Sequence, residues 1–301
     1  MKKYSGGVPV AAVQRSGFEE SRHHGSVLVL SGDGGVIASA GDVTGPIFPR
    51  SSNKPFQAIG MLRAGLEVHD EDLSLVAASH SGEDFHIERV RALLDKAGLS
   101  EDDLRCPADW RICQPIGEKK RVYMNCSGKH TGMLLTCVAN GWTTGDYYEP
   151  RHPLQKVLVA AIEDYSDEQV AAIGVDGCGA PVAAISLTGL AKGFLRASTH
   201  EVAEAMRTYP EMCSGTGRAD AQLMRAVPGL FSKGGAEGVW AAAIPGIGAV
   251  AMKIDDGAAR AHGPIMVSAL KRLGVEVDEP ALVSPPVLGR GEPVGVISSV
   301  W

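Results

Sequence analysis

Ser51-Ser52-Asn53-Lys54 places a hydroxyl and an amine three positions apart, where the chain enters an apolar stretch with helical spacing. On one helical turn, residues i and i+3 share a face, so the Lys54 amine can reach the Ser51 hydroxyl. A serine hydroxyl is a poor nucleophile until a base takes its proton, and a neutral lysine is such a base. At the ordinary lysine pKa of about 10.4, only about one amine in 2,500 is neutral at pH 7. The site must therefore depress that value, by burial or by a second cation.

Two later segments supply what such a site needs. Ser79-His80-Ser81-Gly82 closes the apolar run Leu73 to Ala78, and Ser232-Lys233-Gly234-Gly235 precedes the strand pattern Gly238 to Ile244. In penicillin-binding and β-lactamase-like enzymes, S-x-x-K is followed by a serine-bearing loop and then by Lys-Thr-Gly on a strand. The order here is the same, with Gly234 where the threonine belongs. A cation at Lys233 lowers the pKa of Lys54 and assists proton movement through Ser79. Other motifs fail on context. Gly246 to Ala251 spells G-x-G-x-x-A, but the residues continue as a strand where that fingerprint needs a helix. Gly128-Lys129-His130 lacks the first glycine and the Mg-binding hydroxyl of a phosphate loop.

The elements that must position these groups are legible in outline. Apolar stretches at Val8 to Val13, Ser26 to Leu30 and Gly35 to Ala40 open the chain, the last two joined by the hairpin signal Ser31-Gly32-Asp33-Gly34. Helical spacing follows at Lys54 to Ala64, His86 to Lys96, Pro153 to Asp164 and Glu201 to Arg207. Two further strands, Gly238 to Ile244 and Gly248 to Ile254, precede a helical pattern from Ala258 to Leu273. Strands thus flank a helical middle. This order predicts an α/β (α+β) architecture with one antiparallel sheet flanked by helices and a helical subregion. We expect one unit over 1–301, its sheet formed by roughly 8–50 and 230–275 and its helical middle by roughly 54–225. The four prolines between Glu279 and Gly295 predict irregular chain there.

Composition narrows the classes. Among 301 residues, 45% are hydrophobic and 21% charged, with a net charge of −6, so nothing recruits nucleic acid or anionic lipid. No apolar run reaches 18 residues, and the first residues lack the core of a signal peptide, so a cytoplasmic protein with reduced thiols is expected. Six cysteines are too few for a disulfide scaffold in a chain this long. Glycine is in excess at 37 residues, and Gly82, Gly128, Gly177, Gly179, Gly234 and Gly235 fall beside the motifs, predicting close backbone approach to a small polar substrate.

The residues also resemble a specific family. Arg15-Ser16-Gly17-Phe18-Glu19-Glu20-Ser21-Arg22-His23 and Pro49 to Ala58 look like the start of the rhizobial-type L-asparaginases, the asparaginase II family. The resemblance continues through Ala78 to Glu83, Asn125-Cys126-Ser127-Gly128-Lys129-His130, Asp176-Gly177-Cys178, Gly215-Thr216-Gly217-Arg218, Lys233 to Ala236 and Lys253 to Gly257. It spans roughly residues 10 to 275. It implies a serine β-lactamase/penicillin-binding-protein-like fold, a homodimer, and hydrolysis of L-asparagine to L-aspartate and ammonia. It further implies that Ser51 is the nucleophile with Lys54, and that Ser79 pairs with Lys233. Arg50 and Glu83 flank the serines and suit the charged ends of the substrate, with Asp176 and Gly234 as further binding residues.

By spacing alone, Cys126, Lys129 and Cys178 are a weak metal signal, since lysine is seldom a zinc ligand and buried thiols are the plainer reading. The resemblance implies zinc on these three residues, tuning substrate affinity and leaving the nucleophile to the Ser-Lys pairs. Asp176 is then expected beside a ligand, and His130 either there or simply packed. Cys106, Cys113, Cys137 and Cys213 are expected to be inert thiols, and His23-His24 and His80/His86 have no metal-ligand spacing. Two alternatives stand beside this reading. One is a glutaminase or another β-lactamase-like amidohydrolase, since one methylene is worth only about 1–3 kcal/mol of discrimination. The other is a catalytically silent zinc-binding protein.

Overall fold

The computed structural model describes residues 3–301. Eleven strands and eleven α-helices are described. The strands are β1 (Val8–Arg15), β2 (Phe18–Ser31), β3 (Val36–Ala40), β4 (Pro46–Ile47), β5 (Ala172–Val175), β6 (Pro181–Ser186), β7 (Phe231–Gly234), β8 (Val239–Ile244), β9 (Gly248–Ile254), β10 (Pro286–Gly289) and β11 (Glu292–Ser299). The helices are α1 (Lys54–Arg63), α2 (Asp70–Val76), α3 (Asp84–Lys96), α4 (Ser127–Asn140), α5 (Pro153–Ser166), α6 (Leu187–Ala197), α7 (Glu201–Thr208), α8 (Pro210–Cys213), α9 (Ala219–Ala226), α10 (His262–Lys271) and α11 (Pro280–Val283).

The main sheet runs β10-β11-β1-β2-β9-β8-β7, with β3 also paired to β2. Every pairing is antiparallel, so both ends of the chain meet in one sheet, as the order of elements predicts. Strands β8 and β9 are buried almost throughout and carry mainly alanine, valine and isoleucine, which lets α6 lie close against them. Helix α1 is buried from Lys54 to Met61, because it runs inside the molecule with α5 and α4 packed against it. Its first turn holds Pro55, where a missing N–H costs nothing. A polar lysine is thereby carried into the interior at the very start of a core helix.

Two expectations need correction. The segment between Glu279 and Gly295 is not irregular: it forms α11, β10 and the start of β11, so the sheet extends beyond 275 to Ser299. Its prolines are tolerated because Pro286 opens an edge strand and Pro280 opens a helix, where no N–H is required. The helical middle also contributes β5 and β6, which pair with β4 in a small sheet, β4-β6-β5. Among the described residues, no helix is long and apolar enough to cross a membrane.

Candidate active site

Arg50–Asn53 form a 3-10 turn leading straight into α1, so Ser51 and Lys54 do not share one α-helical turn. The turn is fixed from both sides. Ser52, fully buried, donates its hydroxyl to the Lys233 carbonyl at 2.8 Å. A side chain at Gly235 would sit 2.3 Å from the Pro49 carbonyl oxygen, so only glycine lets the end of β7 lie against the turn. Sequence reading missed the Ser52 bond, which docks the Ser51 turn onto the Lys233 strand. The Ser51 hydroxyl makes no hydrogen bond among the described residues and faces a cavity of about 550 Å3. Ser79, Asn125, Lys233 and Gly234 line the same cavity.

Lys54 is 1% exposed. Its Nζ bonds the Ala78 carbonyl at 2.5 Å, the Ser79 Oγ at 2.9 Å and the Cys126 Sγ at 3.1 Å. The structure thus pairs Lys54 with Ser79 in place of the Ser51 expected from spacing, because the Ala78 carbonyl, the Ser79 hydroxyl and the Cys126 sulfur together hold the amine at the Ser79 loop. Burial pushes Lys54 below the ordinary lysine pKa; Cys126 opposes this, while Lys233 and Lys129 add to it. A neutral amine has two N–H bonds and one lone pair. All three bonds run from Nζ, the one to Ser79 Oγ included; in the neutral amine the lone pair replaces one of these N–H bonds. That arrangement can accept a proton from a serine.

Lys233, also 1% exposed, donates to the Gly234 carbonyl at 2.9 Å and stands 3.6 Å from the Asp220 carboxylate. Ser79 therefore bonds Lys54 here, and no bond to Lys233 is described. Asp220 was invisible in the sequence. Its Oδ1 accepts from the Gly234 N–H at 2.8 Å, from Ser232 at 2.9 Å and from the Trp240 indole at 2.8 Å. Burial alone would raise its pKa, but Lys233 and these donors hold it below the usual carboxylate value. The Gly234 N–H is thus committed to Asp220.

The remaining expected binding residues are committed elsewhere. Arg50 has a left-handed backbone (φ 54°) and its Nε donates to Asp176 Oδ1 at 2.6 Å. Glu83 accepts from the Ser81 hydroxyl at 2.6 Å and the Thr216 N–H at 2.9 Å. Neither Arg50 nor Glu83 lines the cavity with the serines. Asp176 joins Arg50 to Cys178, whose sulfur lies 3.7 Å from its Oδ2. His80, fully buried, donates from Nε2 to Ser127 Oγ at 2.8 Å, since the Ser127 proton is spent on the Val122 carbonyl. Burial, with His86 and Lys54 nearby, keeps His80 neutral.

Cys126, Lys129 and Cys178 also converge. All six cysteines are free, and Lys129 Nζ lies 3.2 Å from Cys178 Sγ. A hydrogen bond from Cys126, helped by the Lys129 charge, pulls Cys178 well below the ordinary thiol pKa against the cost of burial. The same bond, with burial, keeps the proton on Cys126. His130 Nε2 is buried with no hydrogen-bond partner. Among the described residues, no three His, Cys, Asp or Glu side chains gather around a metal position. A third donor exists only if Lys129 is counted. Two sulfurs are ordinary zinc donors, and the amine becomes a third only once it gives up its proton.

No curated protein sequence matches the chain. Among solved structures, the chain is similar to a β-lactamase from Mycobacterium bovis, at 15% identity over 78% of this chain and 88% of that one, TM-score 0.37. It is also similar to a Bacteroides dorei protein titled as a β-lactamase, at 11% over 77% and 84%, TM-score 0.43. A third is simvastatin synthase from Aspergillus terreus, at 10% over 88% and 91%, TM-score 0.38. With TM-scores below 0.5, these likenesses say nothing about chemistry. The sequence itself is decisive: residues 11–299 match the L-asparaginase II family, and the chain belongs to that family of hydrolytic amidases.

Proposed function

We propose that the protein hydrolyses the side-chain amide of L-asparagine to L-aspartate and ammonia through an acyl-enzyme on Ser51. The observation that carries this reading is the buried Lys54 amine, pushed below the ordinary lysine pKa and 2.9 Å from a serine hydroxyl, beside a cavity that Ser51 and Lys233 line. Substrate brings the Lys54 amine from Ser79 to Ser51, a tightening common between free and bound enzymes. Lys54 takes the Ser51 proton, Ser51 Oγ bonds the amide carbon, and backbone N–H groups at the turn stabilise the oxyanion. The amine then swings back to Ser79, to the 2.9 Å contact it makes at rest, and the proton passes through the Ser79 hydroxyl to the amide nitrogen. The C–N bond breaks and ammonia leaves. Water attacks the ester with Lys54 again as base, and Ser51 recovers its proton.

A second reading has one observation in its favour. Ser79 is the serine whose hydroxyl Lys54 meets at rest, so Ser79 as nucleophile requires no movement of the amine. Ammonia release from L-asparagine and L-glutamine tests the substrate. We expect L-asparagine to have the higher kcat/KM; a preference for L-glutamine would overturn the asparaginase assignment.

Cys126, Lys129 and Cys178 would hold the zinc ion that the family resemblance implies. A zinc ion there would supply an open coordination position for a polar group of the substrate. Burial would lower Lys129, but the Cys178 and Cys126 sulfurs hold its pKa above the ordinary value, so the free site carries an ammonium and the Cys126 thiol proton. Both must leave before three donors can bind metal. Zinc titrated in buffers of differing ionisation enthalpy is expected to release about two protons per ion, with affinity falling as pH drops. Proton-neutral binding would contradict this ligand set. The homodimer and a reducing, cytoplasmic location, which suits six free thiols, belong to the same proposal.

A further inference from the structure

The loop between α8 and α9 carries Gly215-Thr216-Gly217-Arg218, a motif to which the chemistry above gives no task. It is pressed against the segment that follows Ser79. A side chain at Gly215 would lie 2.1 Å from the Ser81 hydroxyl, and its φ of 123° is one that favours glycine. Glu83 clamps both partners, accepting from the Thr216 N–H at 2.9 Å and from the Ser81 hydroxyl at 2.6 Å. The Arg218 N–H closes the loop on the Gly215 carbonyl at 3.2 Å. Gly217 and Arg218 are thereby fixed on the wall of the cavity that Ser51 and Ser79 line.

That cavity is lined by three cations, Arg218, Lys233 and Arg260, against the single carboxylate of Asp220. His262 adds no charge, because burial pushes it down to about 4. Two of the cations are already engaged. Lys233 faces Asp220 and the Gly234 carbonyl. Arg260 donates to His23 Nε2 at 2.9 Å and to Ser21 at 3.2 Å. Arg218 is exposed, and among the described residues its guanidinium has neither an ion pair nor a side-chain hydrogen bond. Nearby arginines differ: Arg50, Arg111 and Arg225 each hold a carboxylate. An anionic group entering the cavity must find a partner or forfeit its hydration, and the planar guanidinium fork is the group that matches a carboxylate in two parallel bonds.

We propose that Arg218 binds the α-carboxylate of the substrate and so restricts this amidase to amides that carry a free carboxylate. This rests on the amino-acid amide reading above. The test compares wild type, Arg218→Ala and Arg218→Lys on L-asparagine and on 3-aminopropanamide, which keeps the amide and the amine but has no carboxylate. Arg218→Ala is expected to raise KM for L-asparagine about 30-fold or more, with a much smaller change in kcat, and to leave kcat/KM for 3-aminopropanamide at the wild-type value. Arg218→Lys keeps the charge without the fork and is expected to fall between the two. Calorimetric binding of L-aspartate, which needs no turnover, is expected to weaken by a similar factor in Arg218→Ala. An unchanged KM and unchanged L-aspartate affinity in Arg218→Ala would overturn the assignment of Arg218 alone. So would an equal loss on both substrates. A wild-type protein that neither hydrolyses L-asparagine nor binds L-aspartate would overturn the substrate reading, and Arg218 with it.

Discussion

Ser51→Ala is expected to lower kcat for L-asparagine by about a thousandfold or more while leaving the circular dichroism spectrum and melting temperature close to wild type. The large effect follows from removing the atom that bonds the amide carbon. The small structural effect follows from the geometry, because the Ser51 hydroxyl is only partly buried and bonds nothing among the described residues. Ser52, its neighbour, is the hydroxyl that holds the turn to β7. A Ser51→Ala variant that releases ammonia at near the wild-type rate would remove Ser51 from the reaction and leave Ser79 as the nucleophile.

Lys54→Met is the second large effect. The thioether is close in length to the lysine and suits a fully buried site, so the substitution removes the base with little change of packing. Loss of a positioned base costs about a hundredfold to ten-thousandfold in rate. The pH dependence carries a second signature. Burial, aided by Lys233 and Lys129 and opposed by Cys126, puts the folded-state pKa of Lys54 below that of an ordinary lysine. Only the neutral amine accepts the serine proton, so wild-type kcat/KM falls as pH drops through that folded value, and the residual rate of Lys54→Met lacks this limb. Stability follows the same linkage. Between the depressed folded value and the unfolded one, the unfolded state binds the extra proton, so burying Lys54 costs more as pH falls across that window. The stability of Lys54→Met relative to wild type is therefore expected to rise as pH falls through it, as read by urea melts at two pH values. A constant difference would mean that Lys54 is charged in both states.

Much of the site was legible in the sequence as residue types in order, and much less as contacts. Ser51, Ser79 and Lys233 do line one cavity, and Lys54 meets Ser79 beside it. What the spacing could not reveal was which serine the amine meets. The i, i+3 rule holds on an α-helix, whereas Ser51 stands on a 3-10 turn and Lys54 begins the helix after it. The partner of Lys54 lies 25 residues away, a distance over which only the fold decides. Asp220 escaped notice for the same reason, because α9 must pack beside β7 before its carboxylate reaches Lys233. Glu83 and Arg50 were picked out for their charges beside the serines, yet their partners are Thr216 and Asp176. Of the strands, β6 was missed because a short, wholly buried run has no alternation to betray it. The prolines near the C-terminus suggested loop, although an edge strand and a helix start both accept them.

The central claim is that an aspartyl ester forms on Ser51. Enzyme mixed with L-asparagine, quenched in acid within the first turnover and mapped by peptide mass spectrometry tests it most directly. The account predicts the added aspartyl group on the peptide bearing Ser51, and its absence from Ser51→Ala. An ester on Ser79, or ammonia release with no ester on either serine, would contradict it.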